Sequence, residues 1–236
     1  MIDQAGIRMA QGATIACERV GGMNDNMMKS HYHNYYELYF LESGERYHML
    51  QDDRYVMHPG ELILFSPYIL HRSYGDENIP FLRLVLYFHR DEIECQQLKD
   101  ALDSGNGMYR PDPRMWHILR QFLETLLYDQ DNSSELAKAY RHTVLNMLLF
   151  SIVFQVQRQN PARREDSYRI SQIISYIHSH YQDDICLEAL AQRFYISPYY
   201  LCREFKRHTS STIIQYVNIT RVMNAQRKFM ETDKNI

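Results

Sequence analysis

His31, His33 and Glu37 lie in the run HYHNYYELYFLESG. Two imidazoles at i and i+2 and a carboxylate four residues on share parity, so on one extended strand all three would face the same way. Pro59-Gly60 opens a later strand, and Pro67 is followed by His71, a third imidazole. Converging inside a barrel, these four residues would suit a divalent transition metal, whose usual donors include neutral imidazole and carboxylate. The same set also reads as a metal-free pocket for a polar organic ligand, or as ordinary hydrogen-bonded barrel residues. The shared parity adds Tyr35, Tyr39 and Leu41. Tyrosine faces beside imidazoles suit a sugar-like or other hydroxylated effector. The candidate effector contacts are therefore His31, His33, Glu37, Tyr39 and His71. The candidate metal ligands are His31, His33, Glu37 and His71, and no other cofactor is expected.

A second constellation lies in LEALAQRFYISPYYLCREFK, from Leu187 to Lys206. Leu187, Leu190, Ala191 and Phe194 recur at i, i+3, i+4 and i+7, the apolar stripe of a short helix. Tyr195 and Ile196 form a turn. Ser197 is placed to cap the next helix, with Pro198 at its first position. That helix buries Leu201 and Phe205. On another face it carries Tyr199, Cys202, Arg203 and Lys206. A short capped helix with a polar, aromatic and basic face fits a DNA major groove. Arg203 could donate two hydrogen bonds to guanine, and Tyr199 could pack on a thymine methyl or reach a phosphate. Ser197, Tyr199, Cys202, Arg203, Lys206 and Arg207 are the candidate DNA contacts, with Lys206, Arg207 and His208 suited to phosphates.

The charge distribution agrees. The chain of 236 residues has a net charge of -3, yet from Tyr168 onward nine Lys and Arg face six Asp and Glu, leaving +3 there and -6 in the rest. A basic tail on an acidic body fits a DNA reader carried by another module. Cys17, Cys95, Cys186 and Cys202 are scattered, so neither a zinc knuckle nor a disulfide framework is indicated. No apolar run reaches the ~20 residues of a membrane helix, and no secretory signal opens the chain. The expected location is the cytoplasm, with no membrane partner. A nucleophilic hydrolase is disfavoured because GxSxG is missing, as is a glycine-rich phosphate loop.

These residues need elements to hold them. Short strands at Tyr35–Leu41, Arg46–Leu50, Glu61–Phe65 and Phe81–Phe88, with turn signals between them, predict a small barrel or sandwich over residues 1–90. Over 91–158 the period becomes helical. Trp116, Leu119, Phe122, Leu123, Leu126 and Leu127 form one stripe. Asn132-Ser133-Ser134-Glu135 opens a second helix running through Leu145, Leu148, Leu149, Ile152 and Val156. The two helices read either as a pair packed on the barrel or, because a helix apolar on more than one face often has a second partner, as the place where the same helix of another subunit pairs. Polar RQNPARREDS predicts a linker at 159–167, and residues 168–236 form the DNA-binding unit, with Ile170, Ile173, Ile174 and Ile177 inward.

Both halves resemble the AraC/XylS family of bacterial transcription regulators. His31, His33, Glu37 and Gly44, then Pro59, Gly60, Pro67 and His71, resemble the cupin pattern HxHxxxExxxxxxG followed by PG…P…H. Ser197, Pro198, Tyr200, Leu201, Arg203, Phe205 and Lys206 resemble the family's SPxYLxRxFK. Tyr216, Val217, Arg221, Val222 and Ala225 resemble its connecting helix. The resemblance implies an α+β chain: an N-terminal cupin-like β-barrel, a helical dimerisation region and a C-terminal all-α helix-turn-helix unit. It implies a homodimer that binds double-stranded DNA under control of a small-molecule effector. The chain departs from the pattern in three places. Ser210 stands where a glycine usually ends the recognition helix, and Tyr195 where many units carry a turn glycine. The sequence also stops at Glu231-Thr232-Asp233-Lys234-Asn235-Ile236, where a second helix-turn-helix would begin. Two other readings follow: a truncated dimerising regulator without tight DNA binding, and a metal-dependent cupin enzyme. An enzyme is not the expected outcome.

Overall fold

The computed structural model describes residues 3–23, 26, 31–50, 53–159, 164–209 and 211–231. After helix α1 (Gln4–Ala10) come β1 (Ile15–Gly22), β2 (Tyr36–Ser43), β3 (Arg46–Leu50), β4 (Asp53–Met57), β5 (Leu62–Phe65), β6 (His71–Tyr74) and β7 (Phe81–Phe88). Helix α2 (Gln96–Asp103) and strand β8 (Gly107–Tyr109) lead to the long helices α3 (Pro113–Asp129) and α4 (Glu135–Gln159). The chain continues with α5 (Arg164–His180), α6 (Leu187–Arg193), α7 (Pro198–Thr209) and α8 (Ile213–Glu231).

The strands form two antiparallel sheets, ordered β1-β7-β2-β5-β8 and β4-β3-β6. Side chains of the inward parity, including Tyr39, Leu41, Leu50, Met57, Phe65, Phe81 and Val85, fill the space between them. The opposite parity of β2, Tyr36, Leu38 and Phe40, packs outward on Leu98, Leu119, Leu123, Leu145 and Leu148. The large sheet is therefore covered on both faces. That is why Tyr36–Leu41 is a continuous buried run rather than a clean alternation. At Gly44 the chain turns with φ +83, and a Cβ there would lie 2.3 Å from the Pro80 carbonyl oxygen, so only glycine fits this corner.

Side chains cap the starts of the two long helices. Met115 N–H donates to Asp112 Oδ1 at 2.8 Å, with Pro113 at the first turn of α3. Ala137 N–H donates to Ser134 Oγ at 3.2 Å at the start of α4. Val144, Leu145, Leu148, Leu149 and Ile152 of α4 are buried, while Leu136, Tyr140, Met147 and Phe154 are exposed.

Three boundaries differ from the expected ones. The sheet does not end at residue 90, because Leu62, Ile63 and Leu64 recruit β8 as a fifth strand. The linker expected at 159–167 is shorter: Gln159 still belongs to α4, and α5 begins at Arg164, four residues before the expected start. The polar composition of that stretch reads as loop, yet helices tolerate Arg, Gln and Glu on solvated faces. Residues 160–163 lie outside the described residues, as do Ser210 and residues 232–236.

The helical unit 164–231 packs on the barrel, and Ile170, Ile173, Ile174, Ile177, Tyr216 and Val217 belong to the same continuous core as the barrel interior. Tyr68, in the loop between β5 and β6, is the joint. Its ring stacks on His178 of α5 with centroids 4.9 Å apart. Its Oη accepts a hydrogen bond from Asn224 Nδ2 at 3.3 Å. The neighbouring Pro67 carbonyl accepts from Tyr216 Oη at 3.3 Å. Among the described residues, no helix is long and apolar enough to cross a membrane.

Candidate functional site

Glu37 enters the barrel from β2, and His71 starts β6. His31 and His33 do not share a strand with Glu37, contrary to the parity argument, because β2 begins only at Tyr36. His31 instead forms an isolated antiparallel bridge to His71, with N–H···O distances of 2.9 and 3.0 Å. His33 is held by the Tyr68 N–H, which donates to its carbonyl at 2.8 Å. The convergence holds all the same: one donor atom from each of His31, His33, Glu37 and His71 lies within 4.8 Å of the others.

The orientation of two rings is fixed from behind. His33 Nδ1 lies 2.7 Å from the Tyr35 carbonyl, and His71 Nδ1 lies 2.8 Å from the Ile69 carbonyl. A carbonyl oxygen only accepts, so each Nδ1 carries a proton and donates it. Both Nε2 atoms then point at one carboxylate oxygen, Glu37 Oε2, at 3.0 Å from His33 and 3.2 Å from His71. Ring stacking reinforces the arrangement, His33 on Tyr35 at 4.2 Å and His71 on Phe65 at 4.1 Å. Burial is the main force pushing the His31 imidazole down to about 4, with His71 adding to it, and burial likewise lowers His33. Both rings are therefore neutral near pH 7. Three imidazoles and a carboxylate form a donor set that fits a divalent transition ion.

Parity placed Tyr39 correctly on the inner face, where it is fully buried. The sequence reading missed its neighbours. His48 of β3 lies edge-on to Tyr39, with centroids 4.5 Å apart, and Arg83 of β7 sits 5.2 Å from the Tyr39 ring centre. Both are buried, and among the described residues neither His48 ring nitrogen meets a hydrogen-bond partner. Burial pushes the His48 imidazole down to about 3. Arg46 is also buried, donating to Ser73 Oγ and lying over the Phe81 ring. The parity of Arg46 and His48 in β3 was the available signal, but a lone histidine or arginine in a strand more often faces solvent.

In the helical unit, α6 and α7 form the expected helix-turn-helix. Tyr195 takes φ +54 in the turn, the left-handed region that favours glycine. Tyr200 N–H donates to Ser197 Oγ at 3.2 Å, so Ser197 caps α7. Leu201 and Phe205 are buried, and Tyr199, Cys202, Arg203, Lys206 and Arg207 are exposed together. Docking on the barrel leaves this face open. Glu204, buried below it, pairs with Arg203 Nε at 3.0 Å and with Arg207 at 2.6 Å. The Arg203 side chain remains 59% exposed. Arg221 of α8 donates to the Tyr181 and Asp183 carbonyls, both at 2.8 Å, and so closes the end of α5.

Comparison with known proteins follows this division. Residues 12–145 match the AraC-like ligand binding domain, and residues 177–218 match the bacterial regulatory helix-turn-helix proteins of the AraC family. The HTH-type transcriptional activator RhaS of Salmonella paratyphi A is 23% identical over 215 residues, 87% of this chain and 75% of RhaS. The uncharacterized HTH-type transcriptional regulator YbfI of Bacillus subtilis is 24% identical over 206 residues, 86% of this chain and 73% of YbfI. Among solved structures, ToxT of Vibrio cholerae superposes with a TM-score of 0.52 at 11% identity, covering 94% of this chain and 82% of ToxT.

Proposed function

The chain belongs to the AraC family of bacterial transcription regulators, with an effector-binding domain and a helix-turn-helix DNA-binding domain, and from that premise we propose how each part works. The helix α7 reads DNA by entering the major groove. Arg203 addresses a guanine edge, Tyr199 and Cys202 contact neighbouring bases, and Ser197, Lys206 and Arg207 hold phosphates. The observation that carries this reading is the common exposure of those six side chains on a capped helix docked with its outer face open.

The effector is a small polar molecule received by His31, His33, Glu37, Tyr39 and His71. Stacking faces and inward donors and acceptors in one place support a hydroxylated, sugar-like compound. Two chains pair through α4. Leu136, Tyr140, Thr143, Met147, Phe150 and Phe154 follow a 4-3-4-3-4 spacing along its outer side. That is the seam of a two-stranded coiled coil. Pairing sets the spacing of two reading helices, and cytoplasmic location follows from the task.

Selection of duplexes from a random-sequence pool tests the DNA reading. The full chain is expected to enrich a discrete motif, and the double variant Tyr199→Ala/Arg203→Ala to lose it while keeping its far-ultraviolet circular dichroism. Equal, motif-free recovery by both proteins would sink sequence-specific recognition through α7.

A further inference from the structure

We propose that the cavity between the flank of the barrel and the DNA-binding unit is a second effector site, and that it takes a hydroxylated phosphate monoester of the sugar-phosphate class. The site is separate from the barrel interior, and only its last readout leans on α7 as the DNA reader.

The cavity has a volume of about 510 Å³ and opens where residues 90–96 face α5 and α6. Small-molecule sites typically span ~300–1,000 Å³. On the sensor side the polar groups are already engaged. Arg90 Nη1 donates to Asp103 at 2.6 Å, and Gln96 Nε2 donates to Asp100 Oδ1 at 2.7 Å. The reader side is different. Arg193 lies 4.4 Å over the Tyr176 ring, and among the described residues no carboxylate pairs with it. Its charge is braced in place and uncompensated. A phosphate group supplies the missing negative charge, with oxygen acceptors that suit the guanidinium fork.

His178 gives the second cue. Tyr216 Oη donates its single proton to the Pro67 carbonyl at 3.3 Å, so His178 Nε2, 3.2 Å from that hydroxyl, is the donor between them. Burial keeps this ring neutral near pH 7. Its Nδ1 then carries a lone pair, and among the described residues it meets no donor. The Gln172 amide beside it makes no hydrogen bond among the described residues either. An acceptor nitrogen and an amide next to an uncompensated cation match a ligand that carries hydroxyl groups as well as phosphate. Phe194, edge-on to Tyr176 with centroids 6.0 Å apart, gives the carbon skeleton an apolar wall.

The walls belong to both units, so the site is complete only while they are docked. A ligand bound there favours docking by its differential affinity for that arrangement. Arg193 ends α6, and Phe194 leads into the Tyr195 turn before α7. The ligand therefore holds the helix pair that carries the DNA-reading face.

The test titrates the full chain with glucose 6-phosphate in a calorimeter, against glucose, inorganic phosphate and gluconate. We expect one equivalent of the ester per chain and much weaker binding of the other three. Arg193→Gln should weaken the ester about tenfold or more, the loss of one hydrogen bond to a charged group. Arg114→Gln, which removes an exposed charge on α3, should leave binding unchanged. Gln172→Ala should also weaken it, and decides the matter should Arg193→Gln fail to fold. The ester should slow hydrogen exchange in residues 90–103, α5 and α6, and should shift affinity for a selected duplex. No saturable uptake up to millimolar ester, or uptake unchanged in both variants, would overturn the site. Equal binding of inorganic phosphate would overturn the ester, and equal binding of gluconate would overturn the phosphate. Protection confined to β2, β3 and β6 would put the ester in the barrel, sinking the second site while leaving the sensor reading standing. Binding without any change in duplex affinity would overturn its role as an effector.

Discussion

Tyr195 holds φ +54 with its side chain 94% exposed. A left-handed conformation costs a non-glycine residue about 1–2 kcal/mol, and this ring packs on little that would repay it. Tyr195→Gly gains flexibility in the unfolded chain, which offsets part of the relief. The expected net effect is a stabilisation of up to about 1 kcal/mol, read as a higher denaturation midpoint with unchanged slope. A loss of stability would mean that the tyrosine makes a contact that the turn geometry hides. At the same scale, burial pushes His178 down to about 3 in the folded chain, well below the 6.5 of an exposed imidazole. Between those values the unfolded state binds more protons, so stability rises with pH and levels off above the upper one. Acidification from pH 7 to 5 should therefore loosen α5 from the barrel, and His178→Gln should flatten that dependence. His142 works in the opposite sense, because hydrogen bonds from its ring to Glu92 and Glu94 raise its affinity for protons. Its contribution is present at low pH and fades as pH climbs past its raised value. Thermal melts of both single variants, Gln for His, across pH 5–8 separate the two.

Among the elements, α4 carries the clearest prediction. Its outer side exposes Met147 and Phe154 by 53% and 57%, and Phe150 stacks on Phe154 with centroids 6.0 Å apart. If a second copy covers this seam, Met147→Asp/Phe154→Asp converts the dimer to a monomer in sedimentation, leaving the melting temperature of dilute protein nearly unchanged. Unaltered sedimentation of the double variant would remove α4 as the dimer contact. Much of this layer is written in the sequence. The helical period of Trp116–Leu127 and the Ser134 cap locate α3 and α4, and the Ser197-Pro198 pair locates α7. Phe81–Phe88 is apolar except for Arg83, and its bounds are legible to the residue. What escaped was short or polar. Residues 53–57 and 71–74 are only five and four residues long and carry charged or polar residues, and pairing with β3 holds them extended. The quartet of His31, His33, Glu37 and His71 was legible as a set of residue types. Its construction was not, since His31 and His33 reach it through a bridge and a loop, and the carbonyl braces behind His33 and His71 leave no trace in residue spacing.

Across the whole molecule, the seam between sensor and reader is a handful of polar contacts set in a shared apolar core. Tyr68, Pro67, His178, Tyr216 and Asn224 make it, joined by the His178 to Tyr216 hydrogen bond at 3.2 Å. Removing the Tyr68 ring deletes the stack and the bond to Asn224 while leaving the backbone bond to His33. Tyr68→Ala is therefore expected to cost about 3–5 kcal/mol of docking, the range for truncating a buried aromatic residue. Hydrogen exchange should show faster opening of α5 and α8 with the protection of β2 and β7 unchanged. Uniform loss of protection across the chain would mean that the two halves do not open separately.

The pairing of the first strand with the seventh has a consequence for how the chain is made. Ile15 lies opposite Phe88, and Leu62–Leu64 wait for Gly107–Tyr109. On a ribosome the first strand emerges long before its partner, and the large sheet is incomplete until residue 109 has cleared the exit. Such distant contacts are slow to form, whereas the helix-turn-helix closes on near neighbours within tens of residues. The nascent sensor therefore spends its early life with Tyr36–Leu41 uncovered, a run on which chaperones would act and at which a synthesis pause after residue 109 would favour closure. The reader is translated after the sensor, onto a barrel that has had time to fold.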